Sequence, residues 1–391
     1  MRFELAVLAA LPLALAAPII TPRAGTVIPG KYIVKFKEDA VGDFVEAALK
    51  LLSNSPDHVY GFGKYNGFAG TISDSLVQVI AALDAVEYIE KDAIVKANLG
   101  TIEKRAYVTQ SSSTWGLGRV SHVAKGSTSY TYDSTAGAGT CVYIIDTGIY
   151  TAHAEFEGRA TFLANYAGDG SNTDGNGHGT HCAGTIGSKT YGVAKKTSLF
   201  AVKVLDASGS GTNSGVIAGI NYAANDQKTR AACSGGAVGS LSLGGGKSTT
   251  VNAAAANAVS AGLFLSVAAG NDNVNAANYS PASEPTVFTV GATDSSDAKA
   301  AFSNYGAVVD IFAPGVSILS TWLNGGTNTI SGTSMATPHV AGLAAYILAL
   351  EGKVTPAALG ARLIALSNKS KITGLPSGTA NQLAFNGNPS G

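Results

Sequence analysis

Lys31-Tyr-Ile-Val-Lys-Phe-Lys37 alternates apolar and charged positions, the period of a half-buried strand. It opens a run of short elements. Residues 41–52 read as a helix, and 59–63 and 68–73 as strands joined through Asn66-Gly67, a turn dipeptide. Asp74 can cap a helix over 75–83, and 86–96 supplies a further strand. The order β-α-β-β-α-β is that of a small ferredoxin-like α+β unit, a scaffold that by itself implies no activity. From Trp115 onward the pattern changes. Near-continuous apolar runs at 141–145, 199–205, 238–243, 263–268 and 287–290 alternate with helical stretches near 178–187, 212–226, 248–261 and 334–350. Such strands indicate an α/β unit: a mostly parallel sheet with helices on both faces. Its ligand site is expected beyond the carboxyl ends of the strands. Between the units, residues 98–113 are polar, and Lys104-Arg105 within them offers a processing point.

At the N-terminus, Arg2 precedes an apolar run from Leu5 to Leu15, and Ala14-Leu15-Ala16 fits the small-x-small rule of signal-peptide cleavage. The run is too short to span a membrane, and Pro12 interrupts it. A signal peptide over 1–16, a second segment over 17–105 and a main domain over 106–391 are the expected divisions, with the product secreted to the extracellular space. Elsewhere no uninterrupted apolar run of about 18 residues appears, so no membrane partner is expected.

Composition narrows the classes. Lys+Arg and Asp+Glu both number 26, giving zero formal charge, so no nucleic acid or other strongly charged partner is expected. With 46% hydrophobic and 13% charged residues among 391, the chain can bury a large core. Its 48 glycines follow no Gly-X-Y period and point to tight turns and close backbone approaches. Three cysteines are too few for a disulfide-built scaffold, and their odd number leaves at least one thiol without an intramolecular partner.

Four segments carry candidate chemistry. A strand ends at Ile145-Asp146-Thr147-Gly148; Gly175-Asn-Gly-His178-Gly-Thr-His181-Cys182 leads a Gly-rich loop into a helix; Ser331-Gly-Thr-Ser334-Met-Ala-Thr-Pro338-His339 does the same with a serine; and Ala268-Ala-Gly-Asn271 ends a strand with an amide. A serine hydroxyl attacks only when an imidazole takes its proton and a carboxylate holds that imidazole in the right tautomer. A helix N-terminus beside the serine and an amide side chain can both face a developing oxyanion. Each segment alone has a bland reading. Asp146 suits a turn and Ser334 an N-cap, while His178, His181 and Cys182 could be read as metal ligands without a further cluster nearby. His122, His153 and His339 are expected to pack or face solvent. Gly209-Ser-Gly211 echoes a nucleotide loop with the wrong spacing, and Gly-x-Ser-x-Ala is not the esterase elbow.

Together, with Tyr191 to Lys195, Ser240 to Gly246 and Asn278 to Pro285, these runs resemble the subtilisin-like serine peptidases, and among them the fungal proteinase K group. The resemblance covers nearly all of 106–391, and the small unit resembles the inhibitory propeptide of that family. It implies a self-processed secreted endopeptidase acting on proteins and peptides, with its own propeptide as intramolecular inhibitor and a monomeric state. Asp146 would orient, His178 act as acid and base, Ser334 attack, and Asn271 stabilise the oxyanion. Ser240, Leu241, Ser242, Leu243 and Gly244 would pair with substrate as an added strand. Ala268, Ala269 and Gly270 would leave room for a large apolar or aromatic side chain before the scissile bond. Cys141 and Cys233 would form the disulfide, leaving Cys182 free. One structural Ca²⁺ site is implied at the Pro285 and Val287 carbonyls and the Asp310 carboxylate, with no cofactor for catalysis. Lys371 would remove a second calcium site, Phe288 a second disulfide, and Asn213 would make a distant subsite more polar. Rival readings are a catalytically silent peptide-binding relative and an esterase. Asn278 and Asn368 head glycosylation acceptor triplets.

Overall fold

The computed structural model describes residues 16–22, 26–38, 40, 42–62, 65–97 and 113–389. The expected signal peptide, but for Ala16, the Lys104-Arg105 pair and the 105/106 boundary lie outside them. The N-terminal unit comprises β1 (Ile19–Ile20), β2 (Val27–Phe36), α1 (Gly42–Lys50), β3 (His58–Phe62), β4 (Tyr65–Thr71), α2 (Asp74–Ala81) and β5 (Val86–Ala97). The second unit begins with α3 (Trp115–Ser121), β6 (Cys141–Asp146), β7 (Ala160–Asn165), α4 (His178–Gly187), β8 (Ser198–Lys203), β9 (Ser210–Thr212), α5 (Asn213–Asp226), β10 (Ala237–Leu241), β11 (Leu243–Gly246) and α6 (Thr249–Ser260). It continues with β12 (Phe264–Ala268), β13 (Tyr279–Ser280), β14 (Phe288–Thr293), β15 (Ile311–Pro314), β16 (Ile318–Thr321), β17 (Thr327–Ile330), α7 (Thr333–Glu351), α8 (Pro356–Leu366), β18 (Asn368–Lys369) and β19 (Gln382–Leu383).

In the N-terminal unit the strands lie in the order β5-β2-β4-β3, the ferredoxin-like arrangement. Two local expectations change. Ser73, not Asp74, caps α2, its hydroxyl accepting from Leu76 N–H. Asn66-Gly67 lies inside β4, because Phe62 already pairs with Tyr65 ahead of it. Gly67 is needed there for a different reason: a Cβ would meet the Val34 carbonyl oxygen at 2.1 Å.

The second unit is built on a sheet ordered β18-β19-β15-β14-β12-β10-β6-β8-β7, in which every pair from β15 to β7 is parallel. The α/β expectation holds. One face packs Ile186, Val290, Val340 and Leu343 around α4 and α7, and the other packs Val202, Ile217, Leu241 and Ala255 beneath α5 and α6. By length and composition α7 could cross a membrane, although Thr337, Pro338 and His339 interrupt its apolar run, and 89% of that stretch is buried in the protein. A helix apolar all round belongs in a core. Cys141 and Cys233 form a disulfide across 92 residues, worth about 4–5 kcal/mol in the chain-entropy picture, and Cys182 is free and buried.

The two units share one sheet. β5 pairs antiparallel with both β9 and β11, so the N-terminal unit inserts a strand between two edges of the second unit. Upstream in the same strand, two carboxylates meet helix N-termini. Glu90 accepts from Ser248 Oγ (2.7 Å), Thr250 N (3.1 Å) and Thr250 Oγ1 (3.0 Å) at the start of α6. Asp92 accepts from Ser214 N (3.2 Å) and Ser214 Oγ (2.6 Å) at the start of α5. Burial pushes both carboxyls up, and these hydrogen bonds pull them back. Negative charge at a helix N-terminus is favourable, and bonds to a charged group contribute about 1.5–3 kcal/mol each. Glu90→Gln and Asp92→Asn are each expected to weaken docking between the two units, supplied as separate chains, by roughly 10- to 100-fold in calorimetric titration. Unchanged affinity in both would remove the carboxylates from the interface energetics.

Candidate active site

Asp146 ends β6 at the carboxyl edge of the sheet and is fully buried. Its Oδ1 accepts from Thr147 N (2.7 Å) and from His178 Nδ1 (2.7 Å). The turn that follows needs Gly148, whose φ is +106° and whose Cβ would meet Thr173 and Asp174 at 3.1 Å. His178 is the first residue of α4. Before it Gly177 adopts φ +104°, with the Trp322 ring 2.5 Å from where a Cβ would sit. A carboxylate only accepts, so the Asp146 contact assigns the proton to Nδ1 and leaves the Nε2 lone pair for a proton acceptor's role.

Ser334 is the second residue of α7. The helix starts at Thr333, so Pro338 is its sixth residue and lies past the first turn. A proline there cannot bond the carbonyl four residues back, which is that of Ser334. Side chains use it instead: Ser242 Oγ donates to Ser334 O at 2.8 Å, and the Cys182 thiol approaches at 3.5 Å. In return Ser334 Oγ donates to the Ser242 carbonyl at 3.0 Å. The flanking carbonyls follow the same pattern, with Thr337 Oγ1 on Thr333 O (2.9 Å) and His339 Nδ1 on Met335 O (2.8 Å). Asn271, just past the end of β12, has its Oδ1 fixed by Thr333 N (2.8 Å) and Thr333 Oγ1 (2.9 Å), which sets the direction of its amide N–H end. Thr333 was missed from sequence; a threonine one residue before a serine carries no signal of its own.

The remaining histidines have structural partners. His181 donates to Ile318 O, His153 contacts Gly326 O and His122 contacts Gly118 O. Burial pushes His181 down to about 3 and His339 to about 4, so both stay neutral across the working pH range. Asp146, His178 and Cys182 bring ligand-type atoms within 4.8 Å of one another. The Asp146 and His178 atoms among them are already hydrogen-bonded to each other, and burial pushes the Cys182 thiol up.

Two edges flank this constellation. On one, Leu243 and Gly244 pair with Ala97 and Lys96; on the other, Thr212, Gly211 and Ser210 pair with Ile94, Val95 and Lys96. The second edge was missed, and Gly211 was read only as part of a poor nucleotide loop. Its Cβ would meet the Val204 carbonyl oxygen at 2.3 Å. Ser240 and Leu241, expected to pair with an added strand, belong instead to β10. Ser240 pairs with β6 and β12 on either side and Leu241 with β12, and the edge that takes the added strand begins at Leu243. Ala268, Ala269 and Gly270 run from the end of β12 to Asn271. Gly270 adopts φ +103°, and a Cβ there would also meet Asn304 Nδ2 at 2.3 Å, so the position needs glycine.

Comparison with known proteins gives consistent matches. The model of the subtilase family matches residues 137–381, and that of the peptidase inhibitor I9 family residues 31–98. A cuticle-degrading protease of Metarhizium anisopliae is 56% identical over 371 residues, covering 95% of this chain and 93% of that protein. Proteinase R of Parengyodontium album is 50% identical over 370 residues, covering 95% and 92%. Among solved structures, a cold-adapted subtilisin-like serine proteinase aligns with a TM-score of 0.67 at 44% identity, over 71% of this chain and 99% of that one.

The released Ser334 carbonyl leads to an unusual expectation. Pro338→Ala restores a helical N–H that competes with Ser242 for that oxygen. The variant should melt higher, since an interior proline costs a helix up to about 3 kcal/mol, yet turn over a peptide substrate more slowly, on the order of tenfold. Thermal melting and steady-state kinetics on the same preparation check both; a rise in both quantities would contradict the account.

Proposed function

The chain belongs to the subtilase family and is a serine endopeptidase preceded by an I9 inhibitor domain; on that premise we propose that Asp146, His178 and Ser334 form its catalytic triad. Ser334 Oγ attacks the scissile carbonyl carbon as its proton passes to His178 Nε2. The C–N bond then breaks as the imidazolium returns that proton to the leaving amine. Water, deprotonated by the same nitrogen, hydrolyses the acyl-enzyme and regenerates the serine. Asn271 and the Ser334 backbone N–H donate to the oxyanion. The observation that carries the reading is the buried 2.7 Å Asp146–His178 contact beside a cleft whose two rims already hold an added strand.

Leu243 and Gly244 on one rim and Ser210 to Thr212 on the other would grip substrate through main-chain hydrogen bonds, which favours broad specificity. The small Ala268, Ala269 and Gly270 support a preference for a large apolar or aromatic side chain before the scissile bond. The protein would be secreted after loss of residues 1–16 and mature by its own cut near Lys104-Arg105. Occupation of the cleft by β5 supports inhibition until that cut is made. Ser334→Ala is expected to leave casein clearing at background and the precursor uncut at its N-terminal segment. Normal processing with activity would overturn the triad.

A structural Ca²⁺ fits the Asp310 carboxylate with the Pro285 and Val287 carbonyls, a hard-oxygen set. Asp310 Oδ2 accepts from Thr289 N at 2.7 Å, two residues beyond Val287 along the chain. Burial pushes its carboxyl up to about 6, so the charged form is disfavoured there unless a cation compensates it. The folded form thus holds its proton more tightly than the unfolded one. In chelator, stability should therefore fall as pH rises from about 4 through about 6, and calcium should restore it. At a hundredfold excess over Kd the ion would add about 2.7 kcal/mol. Melting with and without calcium at pH 8 tests this: Asp310→Asn should lose the calcium response and, in chelator, melt no lower than the unaltered protein. A retained response would move the ion elsewhere.

A further inference from the structure

Five donors converge on one buried carboxylate four residues before His178. Asp174 is 4% exposed. Its Oδ1 accepts from Thr147 Oγ1 (2.9 Å), Asn176 N (2.9 Å) and Gly177 N (2.8 Å). Its Oδ2 accepts from Thr180 N (2.9 Å) and Thr180 Oγ1 (2.6 Å). Three of these donors are backbone N–H groups flanking His178 along the chain, those of Asn176 and Gly177 before it and of Thr180 after it. A fourth belongs to Thr147, the residue after Asp146.

Thr147 is held on every side. Its N–H donates to Asp146 Oδ1 (2.7 Å), its Oγ1 accepts from Gly179 N (2.9 Å), and its carbonyl accepts from the buried Lys203 Nζ (2.9 Å). Lys203 also pairs with Asp169 at 3.0 Å. A continuous path of short contacts therefore runs from Asp146 through Thr147 to Asp174, and from Asp174 to both flanks of His178. Thr180 extends it, its Oγ1 accepting from Tyr150 N at 2.9 Å.

We propose that Asp174 is the positioning residue that fixes the His178 imidazole against Asp146, an inference that rests on the triad reading above. The chemistry asks for a carboxylate. Only an acceptor with two charged oxygens can take five donors at once, whereas an asparagine would turn two N–H groups toward some of them. Asp174 is buried, with both carboxylate oxygens occupied by protein donors. It acts by holding the end of β6 and the first turn of α4 in one register, and a displacement of about 1 Å in such a pair can cost on the order of 100-fold in rate.

The test is steady-state kinetics of the matured enzyme on a tetrapeptide anilide with Phe before the scissile bond, beside thermal melting. Asp174→Asn should lower kcat by about 10- to 100-fold with KM changed less than about threefold. Thr147→Val, which cuts the path at its middle, should lower kcat in the same way, and Thr147→Ser should recover most of it. If Asp174→Asn does not mature, the Thr147 pair carries the test. A purely structural role would instead lower the melting temperature and leave kcat within about twofold, and that result would overturn the proposal, as would a raised KM at unchanged kcat. Equal kcat in Thr147→Val and Thr147→Ser would overturn it too. His178→Ala separates the two levels: activity surviving in that variant overturns the triad itself, whereas an inactive His178→Ala with a normal Asp174→Asn removes Asp174 alone.

Discussion

Parallel pairing of β6, β10 and β12 aligns three strand ends along one edge of the sheet. Ser240 lies opposite Ile144 and Ser266, and Leu241 opposite Val267, so Asp146, Ser242 and the 268–271 turn emerge side by side. Parallel strands leave their carboxyl ends pointing one way, and helices that return across the faces must begin or end near that edge. α4 and α7 begin there with His178 and Ser334. Each later feature of the site is a correction to this coarse placement, made by side chains that could not be aligned by the sheet alone.

Those corrections share a logic. Backbone groups orphaned at strand and helix ends recruit polar side chains from a different element. The Ser334 carbonyl, released by Pro338, takes the Ser242 hydroxyl. Helix α4 opens on the Asp174 carboxylate, and the Asn271 amide is aimed by Thr333. Since buried polar groups left unpaired cost roughly 1–3 kcal/mol each, these contacts stabilise the fold and fix the reactive groups at the same time. The N-terminal unit extends the pattern across the interface, where Glu90 and Asp92 meet the orphan donors of α6 and α5.

Much of the fold was legible along the chain. α4 matches the expected bounds at both ends, and α5, α6 and α7 fall within one residue of theirs. α7 is buried on nearly all sides, so its length and apolar content rather than a polar face mark it. The misses have one cause. β9 is only three residues long and half-exposed, too short for any period to develop, and Asn66-Gly67 reads as a turn although β4 runs through it. The apolar run 238–243 looked continuous, yet the chain breaks at Ser242 and leaves the sheet, so Ser240 and Leu241 are interior while Leu243 faces the cleft strand.

What the sequence by itself determined is the class of each element and the set of reactive residues, because periodicity and short motifs are local and record burial and turn chemistry directly. The tertiary structure alone decided which edges take an added strand, which carbonyl the proline frees, and which carboxylate gathers five donors. Asp174 and Thr147 lie 27 residues apart, and Ser242 and Ser334 lie 92 apart. Contacts at such separations are chosen by packing of the whole sheet, and nothing in the neighbourhood of either residue along the chain encodes its partner.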